Sequence, residues 1–228
     1  MPASISIVIP TLNAAQHLPG STNALLEGVT DGLVSELVIT DGGSTDDTEE
    51  AARELGAVWI DGAPGRGGQL ARGVAATKSD WILLLHADTW LGAGWPQAAA
   101  AHMRAFPDHA GWFRLKFRAD GVMPSVVAFV ANRRSAVMGL PYGDQGLLIS
   151  RKLLNSVGGV PDLPLMEDVA LARRLKGKLR RIEADALTSA ERYERDGWFR
   201  RPTHNIGTLA RYFLGADPAH LQKRYERR

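Results

Sequence analysis

Apolar positions along this chain fall into short runs separated by polar and glycine-rich turns, and the spacing inside the runs switches between two periods. Residues 4–10 carry Ile5, Ile7, Val8 and Ile9 and close on Pro10, which predicts a buried strand. A helical pattern follows over residues 14–27. Residues 36–40 (Glu-Leu-Val-Ile-Thr) predict a second strand, and the turn Asp41-Gly42-Gly43-Ser44-Thr45-Asp46 leads into a helix over residues 48–55. Residues 57–60 predict a third strand, and residues 67–76 a helix after the loop Pro64-Gly65-Arg66-Gly67-Gly68. Residues 81–85 (Trp-Ile-Leu-Leu-Leu) are apolar throughout, as expected of a strand covered on both faces, and end at His86-Ala87-Asp88. This alternation predicts an α/β fold with a mostly parallel central sheet flanked by helices.

The second half is less regular. Helices are expected over residues 95–104, 125–137, 151–157 and 165–175, and strands over 111–118, 145–149, 179–182 and 186–190. Residues 198–214 and 218–227 read as two helices joined at Gly215. Residues 1–190 therefore read as one α/β unit and residues 191–228 as its helical C-terminal extension.

In such sheets ligands gather at the carboxyl ends of the strands. Three polar clusters fall there: Pro10-Thr11-Leu12-Asn13, Asp41 to Asp46, and His86-Ala87-Asp88. Asp88, displayed directly after a buried strand, suits a hard divalent cation that takes one or two carboxylates and completes its shell with phosphate oxygens. Asp41, beside two glycines that allow close backbone approach, is an acceptor for base or ribose donors, although a purely structural role in the turn explains it equally well. Arg66, ahead of a helix, is placed to meet phosphate. Asp168 opens a helix, where an acidic residue favours the helix dipole; the functional alternative is a general base.

Composition narrows the chemistry. There is no cysteine, which excludes disulfides, thiolate metal sites and cysteine nucleophiles. The N-terminus lacks a basic leader region, and no stretch of 18 apolar residues occurs, so neither a signal peptide nor a spanning helix is expected and a cytoplasmic location fits. The net charge is +2, but residues 192–228 hold nine Lys/Arg against four Asp/Glu. That basic tail, with Trp198, Phe199, Tyr212, Phe213 and Leu214, admits either peripheral contact with an anionic membrane or packing on the body of the protein or on a second subunit of a homodimer. Phosphate-loop and dinucleotide fingerprints are absent after the first strand, which weighs against nucleotide triphosphatases and dehydrogenases.

Taken in order, Pro10-Thr11-Leu12-Asn13, Asp41-Gly42-Gly43-Ser44-Thr45-Asp46, Arg66-Gly67-Gly68-Gln69, His86-Ala87-Asp88 and Glu167-Asp168 resemble family 2 glycosyltransferases of the GT-A fold. The phrases Leu85-His86-Ala87-Asp88-Thr89, Gly143-Asp144-Gln145-Gly146 and Pro164-Leu165-Met166-Glu167-Asp168 look like a small bacterial subgroup. The resemblance implies transfer of a sugar from a nucleotide-diphosphate donor to an acceptor hydroxyl, with inversion and with Mn²⁺ or Mg²⁺ as cofactor. It implies Asp88 as the metal ligand, Asp168 as catalytic base, and Asp41 at the base or ribose. Pro10, Thr11, Asn13, Gly43, Arg66, Gln69, His86, Ala87 and Glu167 would line the nucleotide-sugar site, with Asp144 and Gln145 near the acceptor or donor sugar. The acceptor is expected to be lipid-linked or an envelope glycan, and no nucleic acid is expected. His86 departs from the family's Asp-x-Asp, which keeps open a non-catalytic nucleotide-sugar binder. A sugar nucleotidylyltransferase would carry a Gly-rich basic loop where Pro10-Thr11-Leu12-Asn13 stands.

Overall fold

A computed structural model describes residues 4–226, so Met1–Ala3 and the last residue of the helix expected over 218–227 lie outside it. Eight strands form one sheet: β1 (Ile5–Thr11), β2 (Val34–Asp41), β3 (Val58–Ile60), β4 (Trp81–Leu84), β5 (Thr89–Leu91), β6 (Ala110–Phe117), β7 (Leu147–Ser150) and β8 (Leu179–Thr188). The helices are α1 (Leu18–Asn23), α2 (Leu26–Thr30), α3 (Thr48–Glu54), α4 (Arg66–Ala76), α5 (Trp95–Ala105), α6 (Val122–Met138), α7 (Arg151–Ser156), α8 (Glu167–Arg174), α9 (Glu191–Asp196), α10 (Arg200–Phe213) and α11 (Pro218–Glu226).

The strand order is β3-β2-β1-β4-β7-β6-β8-β5. β3, β2, β1 and β4 run parallel, β7 is antiparallel to both its neighbours, and β6 and β8 are parallel to each other. The carboxyl ends of β1, β2 and β4 therefore share one edge with the start of β7 and the end of β8. Side chains alternate between two cores, as the pleat requires. Ile5, Ile7, Ile9, Ile39, Leu83 and Leu85 meet Leu18, Leu25, Trp95 and Met103 on one face. Val8, Val38, Ile82 and Leu84 meet Leu70, Leu153, Leu154 and Leu171 on the other. Helices cover both faces, which is why β4 is apolar without interruption.

Several expectations are corrected. The helix expected over residues 14–27 is two short helices: the Ser21 and Thr22 hydroxyls donate back to the Leu18 carbonyl at 3.1 and 2.7 Å, competing with the helical ladder. The two strands expected over 179–182 and 186–190 are one, β8. The polar residues between them are held there because Asp185 pairs with Arg114 (2.5 Å) and Lys116 (2.6 Å) on β6. β5, only three residues long, was not expected at all. The helix expected from residue 165 starts at Glu167, because Met166 takes a left-handed conformation at φ 66°.

The C-terminal helices pack on the sheet edge instead of extending away from it. Leu209, Tyr212 and Leu221 meet Leu140, Leu165, Met166 and Val169. Tyr193 and Trp198 stack on each other and edge onto Phe117, with ring centroids 4.8–5.1 Å apart. Phe199, Ile206 and Leu214 are exposed, so the tail's apolar residues divide between a packed face and a solvent face. No helix among the described residues is long and apolar enough to cross a membrane.

Helix α4 sits unusually close to its neighbours. A Cβ on Gly67 would lie 2.2 Å from the Pro161 carbonyl oxygen and 2.5 Å from the Leu163 nitrogen, both backbone atoms. At Gly68 the nearest contact is the mobile end of a side chain, the Asp162 carboxylate. Gly67→Ala is therefore expected to cost about 1–3 kcal/mol through overpacking, lowering the melting temperature at about 2–4 °C per kcal/mol. Gly68→Ala is expected to change it far less. Equal melting temperatures for the two variants in a thermal scan would show that α4 is seated differently.

Candidate active site

At the first corner, the end of β1 meets the turn after β2. Asp41 is 2% exposed and accepts four hydrogen bonds. They come from Thr11 Oγ1 (2.8 Å), Gly43 N (2.7 Å), Ser44 N (2.6 Å) and Ser44 Oγ (2.5 Å). Burial pushes its carboxyl up, but the Ser44, Thr11 and Gly43 bonds outweigh that and hold it below the usual carboxylate range. Asn13, left-handed at φ 51°, accepts from Thr45 N at 2.8 Å and donates its backbone N–H to Ser44 Oγ at 2.7 Å. Asp41 and the Gly43 N–H are thus engaged within the turn itself, the structural role the sequence left open for Asp41. Pro10, Thr11 and Asn13 do line the groove above it.

The second group comes from α4 and the segment after β4. Gln69 lines the same groove, but its amide donates to the Thr11 and Thr40 carbonyls at 2.7 and 2.9 Å and ties β1 to β2. Arg66 Nε lies 3.0 Å from Glu167 Oε1. Glu167 is buried, and burial pushes its carboxyl up to about 7, offset by Arg66 and reinforced by Asp168. It holds Arg66 in place and does not itself line the groove. His86, Ala87 and Asp88 all reach it. Burial, with the charges of Arg66 and Arg192 adding to it and Asp88 and Asp168 opposing, pushes the His86 imidazole down to about 4, so it is neutral at pH 7. Arg118 donates to the Asp88 carbonyl at 2.7 Å and lies 4.0 Å over the Trp90 ring, fixing the loop that presents Asp88. Sequence reasoning missed this positioning arginine.

The third group surrounds the short helical turn Gly143–Gln145 at the start of β7. A Cβ on Gly143 would lie 2.3 Å from His86 Nε2, so only glycine lets the two segments meet. Gly143 N donates to Asp168 Oδ2 at 2.8 Å, and Val169 N to Asp168 Oδ1 at 2.7 Å. The carboxylate is oriented by two backbone donors. Gln145 is a further correction: it is fully buried and bonds Ser135 Oγ (2.5 Å), Asn132 Oδ1 (3.2 Å) and the Phe113 carbonyl (3.3 Å), joining α6 to the sheet. Its neighbour Asp144 behaves differently. Burial pushes the Asp144 carboxyl up to about 6, with Arg134 opposing and Asp168 and Asp88 adding to it. Its Oδ1 has no hydrogen-bond partner among the described residues.

These groups frame two cavities that meet at Arg66, His86, Asp88, Leu165, Ser189 and Arg192. The larger, about 630 Å³, runs from Pro10, Thr11 and Asn13 along Gly65, Arg66 and Gln69 to Asp88. The smaller, about 120 Å³, holds Asp88, Asp144 and Asp168 and is closed by Arg201, Asn205 and Thr208 of α10. That polar stripe, at i, i+4 and i+7, forms one helix face, set among the apolar residues that dominate the tail's pattern. Asp88 thus stands where the cavities join, and among the described residues its one side-chain donor is Thr89 Oγ1 at 3.4 Å. No three His, Asp or Glu side chains among the described residues converge to hold a metal unaided. A cation here would rest on Asp88 and take its other oxygens from a ligand, which fits a hard ion bound to phosphate.

Glucosyl-3-phosphoglycerate synthases are similar in sequence. The protein of Mycobacterium tuberculosis strain H37Rv is 35% identical over 94 residues, covering 37% of this chain and 29% of that one. The protein of Mycolicibacterium smegmatis matches to the same extent over 31% of its length. The match thus spans under a third of these relatives. In structure, the M. tuberculosis synthase in complex with Mn²⁺, UDP and glucosyl-3-phosphoglycerate superposes with a TM-score of 0.58 at 24% identity, over 80% of this chain and 70% of that one. Its complex with Mn²⁺, UDP-glucose and glycerol 3-phosphate gives a TM-score of 0.58 at 25% identity, over 79% and 70%. The sheet and its flanking helices are the GT-A arrangement. The model of glycosyl transferase family 2 matches residues 6–141, more than half of the sequence, and the chain belongs to that family.

Proposed function

We propose that this protein transfers a glycosyl group from a nucleoside diphosphate sugar to an acceptor hydroxyl, with Mn²⁺ or Mg²⁺ as its cofactor. The observation that carries the reading is the position of Asp88 at the junction of a long groove and a small pocket that contains Asp168. A donor in the groove would place its diphosphate at the junction and its sugar toward the pocket. The similar synthases whose structures hold Mn²⁺ with UDP or UDP-glucose support this choice of donor and cation. We take residues 1–190 as the transferase body and residues 191–228 as its helical extension.

Each role follows from the local chemistry. The bound cation supplies positive charge against the departing diphosphate oxygen. Asp88 would hold it, with its remaining oxygens supplied by phosphate. Arg66, braced by Glu167, adds a fixed positive charge beside the phosphates. His86 stays neutral, so it adds no charge to that cluster. Pro10, Thr11 and Asn13 form the groove wall against which the nucleoside lies. Asp168, aimed by the Gly143 and Val169 N–H groups, accepts the proton of the attacking hydroxyl. A single displacement from that side inverts the anomeric centre. Both expected alternatives lose ground, since a pocket with a poised carboxylate next to the groove has no role in a passive binder or in nucleotidyl transfer.

A thermal-shift panel of UDP-, GDP-, ADP- and dTDP-sugars, each with Mn²⁺, Mg²⁺ or EDTA, is the direct test. One nucleotide at about 100 times its dissociation constant is expected to stabilise the protein by roughly 2.7 kcal/mol. That stabilisation should disappear in EDTA and in Asp88→Asn. Stabilisation by no nucleotide sugar in folded protein would refute the reading.

Asp168→Asn separates chemistry from binding. It keeps one acceptor oxygen, for Gly143 N, gives up the acceptor facing Val169 N, and cannot take a proton. The variant is expected to bind donor and cation as the parent does while kcat falls by about 10²–10⁴-fold. Transfer at the parent rate would remove Asp168 as the base.

A further inference from the structure

We infer that the small cavity beneath α10 seats a three-carbon, polyhydroxylated acceptor whose hydroxyls donate to Asp144 and Asn205; this rests on the transferase reading above. Asp144 Oδ1 and Asn205 Oδ1 are both buried and both lack a hydrogen-bond partner among the described residues, and both residues line this one cavity. A third oxygen has the same bias. Thr208 Oγ1 gives its proton to the His204 carbonyl at 2.9 Å, which leaves it only lone pairs to offer. A buried acceptor without a donor is costly to the protein, so the cavity is complementary to a ligand that brings O–H groups.

The same bias sets the ligand's orientation. Phosphate and carboxylate groups bring acceptors and would face these oxygens unfavourably, so an anionic end belongs outside the cavity. Arg192 and Arg66 stand there, where the pocket meets the groove. The 120 Å³ of the cavity is the share of about four waters at roughly 30 Å³ each. That space suits a glycerol-sized unit. Asp168 lines the same space and reaches whichever hydroxyl attacks. Arg201, Asn205 and Thr208 all lie beyond residue 141, outside the stretch matched by the family model. A similar synthase has been solved with phosphoglyceric acid and with glycerol 3-phosphate, and the latter serves here as a probe.

The experiment is calorimetric titration of protein saturated with Mn²⁺ and the nucleoside diphosphate that stabilises it most. Glycerol 3-phosphate is compared with 2-hydroxypropyl phosphate, which lacks one hydroxyl. Parent protein is expected to bind the diol about tenfold or more tightly, because the missing hydroxyl leaves a site acceptor unpaired. In Asn205→Ala that preference is expected to fall below about threefold, with nucleotide affinity unchanged. Asn205→Leu, which fills the cavity, is expected to abolish binding of both probes and again to leave nucleotide affinity alone. Equal affinities for the two probes in the parent, a preference that survives Asn205→Ala, or nucleotide binding with no binding of glycerol 3-phosphate would each overturn the acceptor assignment while leaving the transferase reading standing. Absence of nucleotide binding would instead bring down the reading on which the inference depends.

Discussion

At the carboxyl edge of the sheet the strand ladder stops, and the loops that continue from it must satisfy their backbone N–H groups by other means. Polar side chains do this throughout. Asp41 takes the N–H groups of Gly43 and Ser44, Asn13 takes that of Thr45, and Asp168 takes that of Gly143. Buried backbone donors left without such partners would cost more than most side-chain contacts return. These bonds turn separate loops into one rigid rim, and every other feature of the site inherits its position from them. The Gly143 bond is the most consequential, since it joins the start of β7 to the first turn of α8 and orients the Asp168 carboxylate in the wall of the small cavity.

The same constraint explains which residues were legible in the sequence. An acid directly after a fully apolar strand has to appear at the edge, so Asp88 could be read from Trp81-Ile82-Leu83-Leu84-Leu85 alone. Whether a polar residue at that edge faces a ligand or braces a loop depends on how many donors surround it, and sequence does not record that. Asp41 reads either way in the string, and in the structure four donors fasten it to its turn; Gln145 looks like a ligand contact and joins α6 to the sheet. The sheet's first four parallel strands follow from period and turn chemistry. β8 does not, because Glu183-Ala184-Asp185 reads as a break until the cross-strand partners Arg114 and Lys116 are known. The contribution of α10 was hidden for another reason. Its packing face and its pocket face differ by less than half a turn, and an apolar pattern reports only the first.

Electrostatics at the junction gives the His86 departure a physical meaning. Two carboxylates there would bring two negative charges to a partly buried cation. Here Asp88 brings one, and a histidine held neutral by burial brings none. The balance of charge must come from elsewhere. Arg66 is present next to the phosphate path, braced by a glutamate whose own carboxyl is pushed up to about 7 by burial. On the proposed reading, protonation of either His86 or Glu167 would change the charge facing a donor's diphosphate without altering Asp88. Lowering pH through the range where Glu167 gains its proton would leave Arg66 less compensated and the groove more positive. On the same reading, a site with one metal carboxylate would leave more of the cation's binding to the donor's own phosphates, beside which Arg66 stands.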